Sequence, residues 1–236
     1  MNFIKVNTYD ELSSKAAALI CAQVVMKPEC VLGLATGSSP LGAYAKMAEK
    51  CRAGEVDFSR VTSINLDEYV GLDGEHDQSY RYFMNNNLFK YINIDINKTH
   101  VPNGCADDAD AECKAYDELI KSVGGIDLQL LGIGLDGHIG FNEPDTYFEK
   151  ATHKVELDPS TIDANARFFA SREDVPTTAI TMGMGGIMSA KKVLLIANGK
   201  KKEDIVNKAF FGPITPAIPA SILQLHPDLT LIYSEN

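Results

Sequence analysis

Short apolar runs alternate with longer helical patterns along almost the whole chain, and this alternation restricts the fold more than any other feature. Apolar runs of strand length separated by helices predict a mostly parallel sheet that is covered on both faces. The predicted strands span residues 1–6, 30–35, 61–66, 126–133, 152–157, 178–182, 193–197 and 229–233. The predicted helices span residues 10–26, capped by Asp10, and 40–51, 78–90, 109–123 and 200–210. We therefore expect an α/β fold over residues 1–236 in one domain, with helices on both faces of the central sheet.

The bulk composition limits where the protein works and what it binds. The chain has 236 residues, a net charge of −10 and five cysteines. A strongly acidic chain is a poor match for nucleic acid or an anionic membrane, and no apolar run approaches the ~20 residues that span a bilayer. The cysteines include no C-x-x-C pair, which is typical of free thiols in a reducing compartment. We expect a cytoplasmic protein without nucleic-acid or membrane partners.

Three glycines after the run at residues 126–131 spell the dinucleotide pattern G-x-G-x-x-G: Gly132, Gly134 and Gly137. That pattern binds a nucleotide only when a helix follows the glycines directly. Here Gly140 and Pro144 follow, and the segment has no helical apolar stripe. We predict a Rossmann-like sheet that does not bind a nucleotide, and we expect no organic cofactor.

The same loop carries an unusual density of polar side chains, namely Asp136, His138, Asn142 and Glu143. Histidine is suited to proton transfer near neutral pH, and a neighbouring carboxylate can orient it and raise its basicity. The sequence predicts an acid/base site at this loop. Two alternatives stay open at this point: a solvated surface turn, and a metal site formed by Asp136, His138 and Glu143. The metal reading is disfavoured because the usual zinc ligand spacing is missing, so we expect no metal.

A second acidic loop follows the predicted strand at residues 61–66, where Asp67 and Glu68 come directly after Leu66. Ligands of parallel sheets bind beyond the carboxyl ends of the strands. Removal of Asp67 from water would raise its pKa into a useful range for a general base. The alternative is an acidic turn without a chemical role.

A third loop has the features of an anion site, since the strand at residues 30–35 leads into Thr36, Gly37, Ser38 and Ser39. Pro40 then begins a helix with Ser39 as its expected cap, and helix starts with free amides bind phosphate. The P-loop pattern is absent, and a plain helix cap is the alternative. Arg167 and one lysine of the run Lys200, Lys201 and Lys202 could add positive charge. A small phosphorylated ligand would reconcile an acidic protein with an anionic substrate.

Taken together, the motifs resemble the glucosamine-6-phosphate deaminase family. They are TGSSP at residues 36–40, NLDEYVGL at 65–72, GLDGHIGFNEP at 134–144, ARFF at 166–169, VPTTAITMG at 175–183 and LQLHP at 223–227. The resemblance covers nearly the whole chain in order. It implies conversion of D-glucosamine 6-phosphate to D-fructose 6-phosphate with release of ammonia, in amino-sugar catabolism, without a cofactor or a metal.

The resemblance also implies roles for individual residues. Asp67 matches the group that moves a proton between C2 and C1, and His138 matches the acid/base that opens the ring. Asp136 and Glu143 match the carboxylates that orient this histidine. The phosphate would bind Thr36, Gly37, Ser38, Ser39, Arg167 and Lys202, with Lys201 as the alternative lysine.

One segment departs from the family pattern. Larger bacterial members carry a basic pair after N-E-P and a longer C-terminal tail, which bind an allosteric activator, N-acetylglucosamine 6-phosphate, in a hexamer. Here His153 and Val155 occupy the positions of the basic pair, and the chain ends at Asn236. We expect no such activation and leave a monomer or a homo-oligomer open. A helical stretch after Asp145 is a candidate lid by position.

Two rival functions are consistent with parts of the sequence. A 6-phosphogluconolactonase shares the G-x-D-G-H turn, but the FNEP continuation and the DEY motif favour the deaminase. A sugar-phosphate sensor domain would need a DNA-binding segment, for which no residues remain, and would have no use for His138 between two carboxylates.

Overall fold

The computed structural model describes residues 1–159, 162–163, 166, 169 and 171–236. Within them lie ten strands: β1 (Asn2–Val6), β2 (Val31–Leu34), β3 (Thr62–Asn65), β4 (Asp67–Tyr69), β5 (Thr99–His100), β6 (Leu128–Leu131), β7 (His153–Glu156), β8 (Thr178–Thr181), β9 (Val193–Asn198) and β10 (Leu229–Ser234). Seven of these strands form the main sheet, in the order β1-β10-β9-β6-β2-β3-β5, and all of its pairings are parallel.

The described α-helices include α1 (Tyr9–Met26), α2 (Leu41–Arg52), α3 (Tyr80–Asn87), α4 (Ala109–Ser122), α5 (Met184–Met188) and α6 (Glu203–Phe211). Short 3₁₀ segments occur at Phe89–Tyr91, Ile96–Lys98, Arg172–Asp174, Lys200–Lys202 and Pro219–Leu225. None of the described helices is both long enough and apolar enough to cross a membrane.

The strands of the main sheet are apolar on both faces because each face supports its own core. Side chains alternate along a strand, so Leu194 belongs to one apolar cluster and Leu195 to the other. The first cluster contains buried residues of α1, α2 and α3, and the second contains residues of α4, α5 and α6. The prediction of a mostly parallel sheet between two helical layers is confirmed.

A second sheet of three antiparallel strands, in the order β4-β8-β7, is separate from the main sheet. The alternation of predicted strands and helices leads us to expect β7 and β8 in the parallel sheet. This prediction is wrong for both strands. The sequence predicts a loop at Asp67 and Glu68, but both residues belong to β4, where Asp67 pairs with Thr181 of β8. The Met182 amide donates to the Leu66 carbonyl at 2.7 Å, which joins this small sheet to the end of the β3 strand. The small sheet therefore fixes the backbone of Asp67.

The predicted ends of several helices also need correction. Thr8 caps α1 by accepting a hydrogen bond from the Glu11 amide at 3.2 Å, whereas Asp10 lies inside the first turn. Pro40 is the N-cap of α2, and no side chain of the cap residue bonds to the helix. Residues 146–152, after Asp145, form no helix, so the expected helical lid does not begin there.

Candidate active site

The loops after β2, β3, β6 and β9 meet in one cleft of about 1080 Å³ at the carboxyl edge of the main sheet. This location agrees with the general rule for ligand sites in parallel sheets. The cleft is lined by the predicted residues Thr36, Gly37, Ser38, Ser39, Asp67, Asp136, His138 and Lys202. Glu143 does not line the cleft but contacts His138. Arg167 lies outside the described residues. Four loops that are distant in sequence therefore contribute to one site.

The loop at residues 36–39 has the backbone of an anion cradle. Gly37 has φ 87°, a conformation that glycine adopts at little cost. Among the described residues, no protein group accepts a hydrogen bond from the amides of Gly37, Ser38 or Ser39. These donors and the amino end of α2 form the positive wall of the cleft.

A single lysine of the predicted run is anchored in the cleft. The half-buried Lys202 donates from Nζ to the Ile133 carbonyl oxygen, at the end of β6. Burial lowers the pKa of Lys202, and the nearby charge of Asp136 opposes this effect. Lys201 also lines the cleft but is exposed. The geometry therefore favours Lys202 over Lys201 as the cation of the site.

Asp67 is a buried carboxyl group with only 5% of its surface exposed. Burial, and then the charge of Glu68, raise its pKa to about 8, while His138 acts in the opposite direction. The Glu68 carboxylate accepts three backbone hydrogen bonds, from the amides of Tyr69, Tyr80 and Arg81, at 2.8–2.9 Å. Glu68 thus joins the Asp67 turn to the start of α3, while Asp67 is left to face the cleft.

His138 lies between two carboxylates, as the sequence predicts. Its Nδ1 is 2.8 Å from Asp136 Oδ1 and 3.4 Å from Glu143 Oε2. Burial alone would lower the pKa of His138, but the ion-pair contacts with Asp136 and Glu143 outweigh it and raise the pKa to about 9. The imidazolium is therefore the form present near neutral pH, and it can act as a proton donor.

The glycines of this loop make room for the acid/base groups rather than for a nucleotide. A Cβ atom at Gly134 would lie 2.4 Å from the His138 ring and 2.6 Å from Asp136 Oδ1. Gly140 has φ 60°, and a Cβ atom there would lie 3.4 Å from Asp67 Oδ2. The Phe141 amide next to it donates to Thr181 Oγ1 at 3.0 Å. The loop therefore packs directly against the strand pair that holds Asp67.

The three groups Asp136, His138 and Glu143 could also be considered as metal ligands, because one ligand atom from each lies within 4.8 Å of the others. A metal needs the neutral imidazole, since the imidazolium has no free lone pair. The raised pKa of His138 disfavours that form near neutral pH. The electrostatics of the cluster favour proton transfer over metal binding.

Several residues of the site escape sequence reasoning. Tyr80 and Phe141 line the cleft with stacked rings, whose centroids lie 5.8 Å apart. Tyr9 lines it from the start of α1. Phe141 belongs to a recognisable motif, whereas no local pattern around Tyr9 or Tyr80 indicates a ligand site. Their positions depend on how distant segments pack.

Fold and site together have the features of a Rossmann-like α/β enzyme, with candidate acid/base groups and a candidate anion-binding loop in one cleft. A family model described as glucosamine-6-phosphate isomerases/6-phosphogluconolactonase matches residues 6–231. The chain belongs to this family, which confirms the family resemblance predicted from its motifs.

Individual relatives are similar over their full length. The chain is 62% identical to a glucosamine-6-phosphate deaminase of Lachnoclostridium phytofermentans, covering 98% of each chain. It is 56% identical to one of Clostridium perfringens, covering 100% of this chain and 98% of the relative. A solved structure described as a monomeric glucosamine-6-phosphate deaminase matches with a TM-score of 0.97 and 44% identity, covering 99% and 97%. A 6-phosphogluconolactonase of Thermotoga maritima has a TM-score of 0.79 but 18% identity, covering 100% and 99%, so this likeness concerns the fold alone.

Proposed function

We propose that this chain is a glucosamine-6-phosphate deaminase, which converts D-glucosamine 6-phosphate and water to D-fructose 6-phosphate and ammonia. The observation that carries the proposal is the arrangement of Asp67, His138 and the loop at residues 36–39 around one cleft. The reaction needs an acid that opens the sugar ring, a base at C2 and C1, and a site for the phosphate. The full-length relatives that carry this name agree with that chemistry.

In the first step, His138 would give its proton to the ring oxygen as the bond between C1 and that oxygen breaks. The neutral imidazole would then take up the proton that the C1 hydroxyl loses as it becomes the aldehyde. The carboxylates of Asp136 and Glu143 hold the ring of His138 in place through Nδ1. They also stabilise the imidazolium before transfer, which keeps the acid charged near neutral pH. General acids of this type contribute typically about 10²–10⁴-fold to a rate.

In the second step, Asp67 as carboxylate would remove the proton from C2, while the substrate ammonium group gives a proton to the C1 carbonyl oxygen, which leaves an enolamine. Asp67 would then return its proton to C1. The C2–N bond then becomes an imine, and water adds to C2 to release ammonia and leave the ketone. Asp67 is largely protonated near neutral pH before substrate binds, because its pKa is about 8. A substrate ammonium group nearby would lower that pKa and ionise the base where it is needed.

The phosphate would be held by the amides and hydroxyls of Thr36, Gly37, Ser38 and Ser39, and by Lys202 from the opposite wall. We also assign Arg167 to the phosphate, on the strength of the family motif at residues 166–169. A fixed phosphate would keep C1 and C2 in register with Asp67, and such orientation contributes several kcal/mol to catalysis. His153 and Val155 at the positions of the basic pair support an enzyme without activation by N-acetylglucosamine 6-phosphate.

The proposal is tested by incubating the protein with glucosamine 6-phosphate and measuring ammonia and fructose 6-phosphate together. Equal amounts of both products are expected. The matched reaction with 6-phosphogluconolactone examines the lactonase alternative, which releases neither product. Hydrolysis of the lactone without ammonia formation from the amino sugar would reject the deaminase.

A further inference from the structure

The Tyr9 hydroxyl connects the amino end of α1 to the loop at residues 36–39 by hydrogen bonds. It lies 3.1 Å from the Ser38 carbonyl oxygen and 3.0 Å from that of Ser39, and it accepts a hydrogen bond from the Gly42 amide at 2.8 Å. One phenol can satisfy all of these contacts, because its single proton is shared by two acceptors while its oxygen accepts one donor. None of the loop motifs includes Tyr9.

This contact replaces the missing cap of α2. The first amides of a helix lack acceptors inside the helix, and Pro40 supplies no side-chain hydrogen bond. The Tyr9 hydroxyl accepts from Gly42 in the first turn instead. A Cβ atom at Gly42 would lie 3.0 Å from Tyr9 Cε1 and 2.1 Å from Ser13 Oγ, so glycine at this position admits the tyrosine ring.

The hydrogen bond between Tyr9 and the Ser38 carbonyl also sets the direction of the Ser39 N–H. In a trans peptide the carbonyl and the following N–H point in opposite directions, and the described chain contains no cis peptide. Because the Ser38 carbonyl faces Tyr9, the Ser39 N–H points away from Tyr9. No described protein group accepts that N–H. The Ser39 carbonyl precedes Pro40, so its peptide has no N–H to offer.

We propose that Tyr9 is a positioning residue that holds the Ser38–Ser39 peptide with its N–H free for the substrate phosphate, through hydrogen bonds to the Ser38 and Ser39 carbonyls and from the Gly42 amide. Tyr9 acts on the loop and takes no part in proton transfer. The identity of the phosphate as part of an amino sugar rests on the proposed function, whereas the orientation of the amide does not.

The test compares Tyr9→Phe with wild type and with the control Tyr91→Phe, which removes a hydroxyl from an exposed tyrosine outside the cleft. Loss of the phenol contacts is expected to raise KM for glucosamine 6-phosphate about tenfold, which corresponds to about 1.4 kcal/mol. The dissociation constant of inorganic phosphate, measured by calorimetry, should rise by a similar factor, while kcat changes less than twofold. The control should match wild type in all three quantities.

An unchanged phosphate dissociation constant in Tyr9→Phe would overturn the inference, and so would a fall in kcat that exceeds the rise in KM. The Ser39 amide signal in the ¹H–¹⁵N NMR spectrum of the wild-type protein gives a second reading that does not depend on the folding of the variant. This signal should shift on titration with phosphate, and its failure to move would also refute the inference. If the wild type binds phosphate in this way and Tyr9→Phe binds it more weakly, but the wild type releases no ammonia, the proposed function fails and the role of Tyr9 stands.

Discussion

Replacement of Asp67 by asparagine should stabilise the fold and abolish most of the turnover in the same variant. The pKa of Asp67 is about 8 in the folded protein against 3.8 for an unperturbed aspartate, mainly because the carboxyl group is buried. Between these two pH values the folded protein binds one proton more than the unfolded chain does. The folded-state pKa is raised, so this group makes the protein less stable as pH increases through the window.

The size of the effect follows from the linkage relation, which gives about 1.4 kcal/mol of lost stability per pH unit while the folded group stays protonated. From pH 5 to pH 8 the Asp67 contribution therefore amounts to about 4 kcal/mol. The amide of Asp67→Asn does not titrate, so the variant lacks this loss. Removal of the general base should meanwhile lower kcat by about 10²–10⁴-fold.

Urea unfolding of wild type and Asp67→Asn at pH 5, 6, 7 and 8 measures this difference directly. The free energies of unfolding of the two proteins should diverge steadily as pH rises, with the variant the more stable. Asp107→Asn, at an exposed aspartate, serves as the control and should run parallel to wild type. Parallel curves for Asp67→Asn and wild type would refute the claim that Asp67 is a buried acid with a raised pKa. Retained turnover would place the base elsewhere.

Three further outcomes are expected. Asp136→Asn removes the carboxylate charge that raises the His138 pKa. The fall of kcat/KM that is expected in wild type as pH rises through about 9 should therefore occur at lower pH in the variant; an unmoved alkaline limb would mean that Asp136 does not tune the histidine. Lys202→Ala should raise KM for the sugar phosphate about tenfold, as loss of a charged hydrogen bond predicts, and more than Lys201→Ala does; steady-state kinetics that show the reverse would assign the phosphate to Lys201. Turnover should survive dialysis against EDTA, because the proposed steps use only side-chain acids and bases; a loss that zinc restores would support a metal at Asp136, His138 and Glu143.

Local patterns predicted much of the site because each motif lies in a loop that leaves the carboxyl end of a parallel strand. The loop after β2, the Asp67 turn after β3 and the His138 loop after β6 belong to neighbouring strands of the sheet. Strands that are parallel and adjacent bring such loops to one edge whatever the details of packing. The residue types then indicated the chemistry of each loop, and the structure places the described ones around one cleft.

Long-range packing decided what these patterns missed. The sequence does not predict the separate antiparallel sheet, because the buried run of β8 also matches a parallel strand. In β7 the polar side chains of Lys154 and Glu156 alternate with half-buried ones, and this pattern does not reveal which strand β7 pairs with. The sequence predicts Ser39 as the cap of α2, but the acceptor is the hydroxyl of Tyr9, which lies 33 residues away from Gly42 along the chain.

Periodicity and local motifs are enough to predict the parallel α/β architecture, the three strand-end loops and the acid/base and anion-binding residue types within them, since they express these features directly. The protonation of the site and the orientation of its backbone depend instead on how the folded chain packs. The pKa of Asp67 depends on burial and on Glu68, and the pKa of His138 depends on the distances to Asp136 and Glu143. The orientation of the Ser39 amide depends on Tyr9. Desolvation and hydrogen bonding act through space, so they are set only when segments distant in sequence come into contact.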